Sequence, residues 1–452
     1  RRSSDLNKTN LRRNEMIQEF FKLKERNTTI RTEVIAGLTT FLSMSYILFV
    51  NPDILSKAGM DIKAVFVATA LAAVFGTMMM ALYANYPVAQ APGMGMNAFF
   101  AFTICGKLGY TWEQGLFAIF ISGLLFMIIA GTGLREKIIN AIPNSLKYAV
   151  SAGVGFFIAF IGLKSVEIVV SSEATMVTLG NLTAPMTLLG IFGIFLTLIL
   201  IARGVNTAIF IGMIVTAIVG MITGLVPVPT ALFASIPSLK PVAFQLFTGT
   251  NPMGLITQPS FWFVVFSVLF LDFFDTAGTL MGVCTRGGLL DSKGKLIDGE
   301  KALMADATAT TLGAIIGTSS VTSYAESVVG VEAGGRTGLT AFTTAILFIL
   351  ALFLSPLLAV VNSAVTAPAL VCVGALMASS TKHIDFEDFA ETTAAFFTMI
   401  FMILSFSIAE GIAIGFLTYT ILKVASGQAK KVHPVMYGLA TLFAIYFLSK
   451  GM

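Results

Sequence analysis

Charge is scarce in this chain. Of its 452 residues only 12% are Asp, Glu, Lys or Arg, while 56% are hydrophobic. A soluble protein of this size carries roughly twice that charge. The net charge of +4 is too diluted to read as a nucleic-acid surface, so nucleic acid is not an expected partner. Cysteine is also rare: Cys105, Cys284 and Cys372 lie far apart, which excludes a disulfide framework or a thiolate metal spacing. The two histidines, His383 and His433, fall in polar connectors, so neither is expected to carry protons through a core. Residues 1–31 are polar and basic without an apolar h-region, so no cleavable signal peptide is expected. Walker loop, Rossmann fingerprint, His-metal cluster and Ser-His-Asp set are all missing from the sequence. No enzyme, cofactor or metal is therefore expected, and the lack of an ATP site favours a secondary carrier.

Long hydrophobic runs are what the chain has in abundance, with a mean hydropathy of +0.88. Several exceed the ~18 residues that a membrane-crossing helix needs, which makes this a polytopic membrane protein embedded in lipid. Hydropathy predicts spans near 33–50, 62–84, 88–105, 112–131, 144–163, 187–202 and 206–225. After a connector at about 226–260, a second set covers 261–283, 302–317, 319–334, 338–360, 365–379, 392–408 and 411–425. A further apolar run at 435–449 reads as either a fifteenth span or an interfacial helix. With a cytoplasmic amino terminus, the outer connectors hold only Lys57, Lys63, Lys107, Lys164 and Lys240 of the 28 basic residues. That asymmetry satisfies the positive-inside rule.

An odd number of spans per half inverts the second half relative to the first, as in many secondary transporters. IPNSLKYAVSAGVGFF (142–157) and TAPALVCVGALMAS (366–379) match as the fifth segment of each half. The third segments match better: PVAQAPGMGMNAFFAF (87–102) and TSSVTSYAESVVGVE (318–332) both run from helix-disfavouring residues into a short apolar stretch. Paired interrupted segments are the best sequence pointer to a transporter's site, since irregular backbone at membrane depth survives only where protein buries it or it lines a cavity.

The polar residues in these stretches carry the chemistry. Asn97 sits where a half-helix could start, either as an N-cap or as a ligand for a substrate near the free N–H groups of that helix end. Glu326 is an acidic residue in a run without Lys or Arg, which by default marks a substrate path or proton relay. The alternative is local, because Ser323 and Glu326 spell an S-x-x-E capping box. In LDFFDTAGTL (271–280), Asp272 and Asp275 stand three residues apart on one helical face. Two carboxylates in low dielectric suit proton coupling; the local alternative is bonding to Thr276 or Thr279. Phe99 and Phe100 could stack on a flat ligand. Asp306 and Glu332 read as rim anchors for Lys301 or Arg336, and Glu410 as a helix break.

Together APGMGMNAFFAF, LDFFDTAGTL, TSYAESVVGVEAGGRTGLTA, TEVIAGLTTFLSMSYILFVNP and TAPALVCVGALM resemble the AzgA-like purine permeases of the nucleobase/ascorbate transporter group. The resemblance covers nearly the whole chain after about residue 28. It implies an all-α membrane fold of 14 spans in two inverted sevens, with short extended segments in spans 3 and 10. It divides the chain into a core (32–134 and 261–361) and a gate (135–225 and 362–452), with a cytoplasmic arm at 1–31 and an outer connector at 226–260. The implied function is import of hypoxanthine, guanine or adenine by proton symport through alternating access in the cell membrane. The functional residues carried over are Asn97, Asp272, Asp275 and Glu326, with Thr276 and Phe99 as neighbours. The proton falls to Glu326, Asp275 or Asp272, and related carriers are often homodimers. The eighth span lacks the His typical of xanthine/uracil permeases, which makes that the alternative reading, followed by an anion transporter of the same fold.

Overall fold

A computed structural model describes residues 15–132, 141–249, 251–290 and 296–450 of the chain. Residues 1–14 of the amino-terminal arm, the 134/135 boundary, and Arg135, Lys137, Lys293 and Lys295 lie outside the described residues.

Helices dominate, because in lipid the backbone must satisfy its polar groups within each segment. Helix α1 (Ile30–Met44) starts at Thr29, whose side chain accepts the Thr32 N–H, and α2 (Ile47–Ser56) follows after a break at Ser45 and Tyr46. Helix α3 (Ile62–Met79) runs on as a π-helical turn to Ala84. There the first interrupted segment begins: strand β1 (Gln90–Pro92), a short α4 (Met94–Ala98) and a π-helical continuation to Lys107. Helices α5 (Trp112–Gly131), α6 (Asn144–Ser165), α7 (Pro185–Ala202) and α8 (Ala208–Ile222) complete the first half.

A hairpin of β2 (Val169–Ser172) and β3 (Met176–Leu179) separates α6 from α7. It corrects the all-α expectation: VVSS and MVTL are rich in β-branched residues and flank a turn, which suits a short antiparallel pair.

The second half opens with α9 (Pro259–Gly287) and α10 (Gly299–Ile316). Gly317, at φ +105°, ends α10 in the left-handed region, and a Cβ there would come within 2.6 Å of Val242. This turn feeds strand β4 (Val321–Ser323) and the short α11 (Ser327–Glu332). Helices α12 (Gly338–Ala351), α13 (Ser363–Ala378), α14 (Phe389–Leu404) and α15 (Ile408–Ala425) follow. The apolar run at 435–449 is helical too, as α16 (Pro434–Lys450).

Among the described residues, eight helices are long and apolar enough to cross a membrane. The expected spans outside that set are the shorter helices α8 and α14, the two interrupted segments, α9, whose apolar part is Pro259–Phe273, and α10 with its Glu300, Lys301 and Asp306.

The matched segments of the two halves meet each other. Strands β1 and β4 pair antiparallel, Gln90 opposite Ser323, Ala91 opposite Thr322 and Pro92 opposite Val321. The fifth-position helices α6 and α13 cross through glycine. A Cβ on Gly155 would come 2.7 Å from the Gly374 carbonyl oxygen, and one on Gly374 would come 2.4 Å from that of Gly155. Small residues at such crossings let membrane helices approach closely. Gly374→Val should wedge this crossing at about 1–3 kcal/mol, lowering the thermal midpoint in detergent by several degrees. Gly438→Ala, on α16 with open space around it, is the control and should leave the midpoint unchanged; equal effects of the two would contradict this packing.

Candidate functional site

The β1–β4 pair sits at the centre of a buried polar network. The chain extends the ladder at both ends: the Gly93 N–H donates to the Ser320 carbonyl at 3.0 Å, and Tyr324 N–H to Ala89 at 2.9 Å. Side chains then pin the ladder. The Tyr324 hydroxyl donates to the Pro92 carbonyl at 2.6 Å, and Ser327 Oγ accepts the Ala89 N–H at 3.0 Å.

Asp306 is the hub of the network. One oxygen accepts from Gln90 Nε2 (2.7 Å) and Ser323 Oγ (3.0 Å), the other from Thr276 Oγ1 (2.7 Å). A single carboxylate thus joins β1, β4 and α9. The expectation of a rim anchor for Asp306 is wrong, since the side chain is fully buried. Glu332 does lie at the surface, but its partner is Arg286. Lys301 pairs with Asp298, and the Arg336 guanidinium donates to the Val331 and Gly335 carbonyls. Hydropathy located Asp306 by its distance from a charged loop; its partners come from three remote segments that no local pattern reveals.

Asp272, one turn before Thr276 on α9, accepts from Thr310 Oγ1 at 2.9 Å, and its other oxygen is buried without a partner. The Thr310 hydroxyl also lies 2.7 Å from the Val321 carbonyl and shares its single proton between the two, tying this carboxylate to β4. Thr276 is fully buried with its hydroxyl engaged by Asp306 and by Thr322 at 2.9 Å. It therefore braces the strand and does not present a free hydroxyl. Phe99 and Phe100 are fully buried in the apolar core.

Glu326 occupies the N-cap position of α11 but its side chain caps nothing. It accepts instead from the Tyr46 hydroxyl at the α1–α2 break. The capping-box alternative therefore fails, because Ser323 is drawn to Asp306 and Gln90 and Glu326 to Tyr46. Tyr46 was missed by sequence reasoning, although a buried tyrosine in an apolar run needs a hydroxyl partner.

Asn97 likewise does not cap; Gly93 holds that position in α4. The Asn97 amide donates to Asn51 Oδ1 at 3.2 Å, and Asn51 donates to Thr69 (2.8 Å) and Thr318 (2.9 Å). The Asn97 carbonyl oxygen is buried and unpartnered.

Accessibility separates the four carboxylates. Asp272 and Asp306 are fully buried; Asp275 is half-buried, and so is Glu326, which follows the exposed Ala325 in the chain. Among the described residues no ion pair reaches any of the four, and no cluster of metal-ligating side chains occurs. The arrangement offers two partly accessible acceptors, Asp275 on α9 and Glu326 at the start of α11. The Ser327, Val328 and Val329 N–H groups of α11 are already taken by the carbonyls of Tyr324, Ala325 and Glu326, whereas the first N–H groups of α4 have no intrahelical partner.

A model of the permease family matches residues 31–414. The chain belongs to this family. It is 49% identical over 441 residues to the guanine/hypoxanthine permease PbuG of Bacillus subtilis, covering 96% of this chain and 99% of that protein. To the adenine permease AdeP of Escherichia coli it is 43% identical over 431 residues, 95% of each chain. The resemblance to purine permeases of the nucleobase/ascorbate transporter group is thereby borne out, and the protein is a multi-pass membrane transporter, not an enzyme. In fold it is similar to the transmembrane domain of the cyanobacterial bicarbonate transporter BicA, with a TM-score of 0.60 at 13% identity, over 85% of this permease and 97% of that chain. The mouse anion transporter Slc26a9 in its inward-facing state gives 0.58 at 11% identity, over 88% and 68%.

Asp306→Ala in this permease leaves Gln90, Ser323 and Thr276 short of an acceptor, at about 1–3 kcal/mol for each orphaned group. Its thermal midpoint should fall by several degrees, with a smaller fall for Asp306→Asn, which keeps one oxygen. An unchanged midpoint for the alanine variant would contradict the hub.

Proposed function

We propose that this permease imports purine bases, with Glu326 and Asp275 as the acceptors that bind the base. The observation carrying the reading is that these two carboxylates alone, of the four in the network, are partly accessible. Relatives named as guanine/hypoxanthine and adenine permeases supply the substrate class. A purine edge presents N–H donors and ring acceptors. Carboxylates take the first, and the free N–H groups at the start of α4 meet the second. Asn97, held through Asn51, orients the first short helix.

The chain works as 14 spans in two inverted sevens, with its amino terminus in the cytoplasm. The core (32–134 and 261–361) moves against the gate (135–225 and 362–452) in alternating access. Protons drive import: an unpaired carboxylate at membrane depth is costly when charged, and a proton or a substrate N–H relieves that cost. Asp275 and Glu326 meet both conditions, and Asp272 with its unpartnered oxygen is the third proton candidate. The similarity to bicarbonate and anion transporters extends to fold alone; an acidic site without a basic partner repels an anion.

Uptake of labelled hypoxanthine into vesicles tests the reading. With an inward proton gradient and no sodium, Glu326→Gln and Asp275→Asn should each lose at least tenfold in rate, with unlabelled guanine or adenine competing in the wild type. Wild-type rates in either variant, or uptake that follows sodium and ignores pH, would overturn it.

A further inference from the structure

The π-helical stretch that follows α4 ends in a cation which reaches across to another helical hairpin. Lys107 Nζ donates to the Ser405 carbonyl at 2.6 Å and to Glu410 Oε2 at 2.9 Å. The pair is partly shielded, with side-chain exposures of 32% for Lys107 and 10% for Glu410. Both residues sit at ends of segments that the charge bias assigns to the outer face. The Glu410 side is rigid: a Cβ on the adjoining Gly411 would come 2.3 Å from Met402 and 2.7 Å from the Thr398 carbonyl, so α14 and α15 are locked together there.

An aromatic cluster lies beside the ion pair. Phe406 adopts φ 51°, a left-handed conformation unfavourable for a bulky side chain. Such strain persists only where surrounding contacts over-determine it. Its ring meets Phe102 of the site-bearing segment at 6.0 Å, and Phe157 and Phe160 of α6 at 5.2 and 6.2 Å. Lys164 Nζ stands 5.0 Å above the same ring. Two kinds of contact, ionic and aromatic, therefore bridge the segment carrying Asn97 to the unit formed by α6, α14 and α15 at one rim.

We infer that Lys107 and Glu410, backed by Phe406, form an outer latch that holds the site shut toward the outside and breaks when it opens that way. The inference rests on the core-and-gate reading above and adds the contact that must part. Once water enters the rim, each charge is solvated separately and the pair loses its shielded geometry, so opening and unlatching are one event.

Charge reversal tests it without reference to substrate. In Lys107→Glu and in Glu410→Lys, amide hydrogen exchange across 103–109 and 405–411 should quicken at least fivefold. The double reversal should return both segments to within about twofold of wild type. Unchanged exchange in the single variants, or no recovery in the double, would overturn the latch. A second arm uses Lys107→Cys with Glu410→Cys in a background where the native cysteines are serine. Bridging the new pair with a short thiol crosslinker should cut hypoxanthine uptake at least tenfold, and reduction should restore it. Undiminished uptake by the bridged protein would overturn the latch. A wild type that takes up no purine would instead remove the purine reading, and the exchange result would still decide the latch.

Discussion

The structure depends on one short antiparallel contact, that between Gln90–Pro92 and Val321–Ser323. Extended backbone at membrane depth has no water to bond to, so each strand is viable only because the other completes it. Everything near the site follows from protecting that contact. Asp306 binds both strands and α9, Tyr324 and Ser327 close the ends of the ladder, and Thr310 links β4 to Asp272. The cost of irregular backbone is offset by a polar network that also ties down the strands from which the two short helices start.

Such a network divides acidic residues by task. Asp306 and Asp272, fully enclosed, hold the scaffold. Asp275 and Glu326 retain access, and Glu326 accepts from the Tyr46 hydroxyl. A carboxylate held by a neutral hydroxyl can exchange that donor for another, which the proposed binding of a substrate N–H or a proton requires. The enclosed pair cannot take a substrate N–H without loosening the strands, and only the unpartnered oxygen of Asp272 leaves room there for a proton.

Much of this was legible in the sequence. The polar, interrupted runs around Asn97 and Glu326 stood out because apolar context makes polar residues informative, and their matching positions foretold that they would meet. What could not be read was partnership. S-x-x-E at Ser323 and Glu326 has the form of a cap, yet tertiary partners on α10 and at the α1–α2 break claim both side chains. Asn97 looked like a helix start and is instead bonded to Asn51, whose polar role is hidden inside an apolar run. Asp306 misled for a related reason: its spacing from Lys301 suggested a surface, while helix α10 carries it inward to residues more than ten positions away. Local patterns locate unusual residues, and only the fold tells which of them satisfy one another.

The proposed mechanism turns on a purine base binding beside the paired strands, held by the accessible carboxylates. The most direct measurement is a structure of the purified protein with hypoxanthine bound. A flat density is expected beside Ala91 and Thr322, within hydrogen-bond distance of Glu326, with Tyr46 released or rearranged. Base density elsewhere, with the Tyr46–Glu326 bond intact and Asp275 untouched, would contradict it.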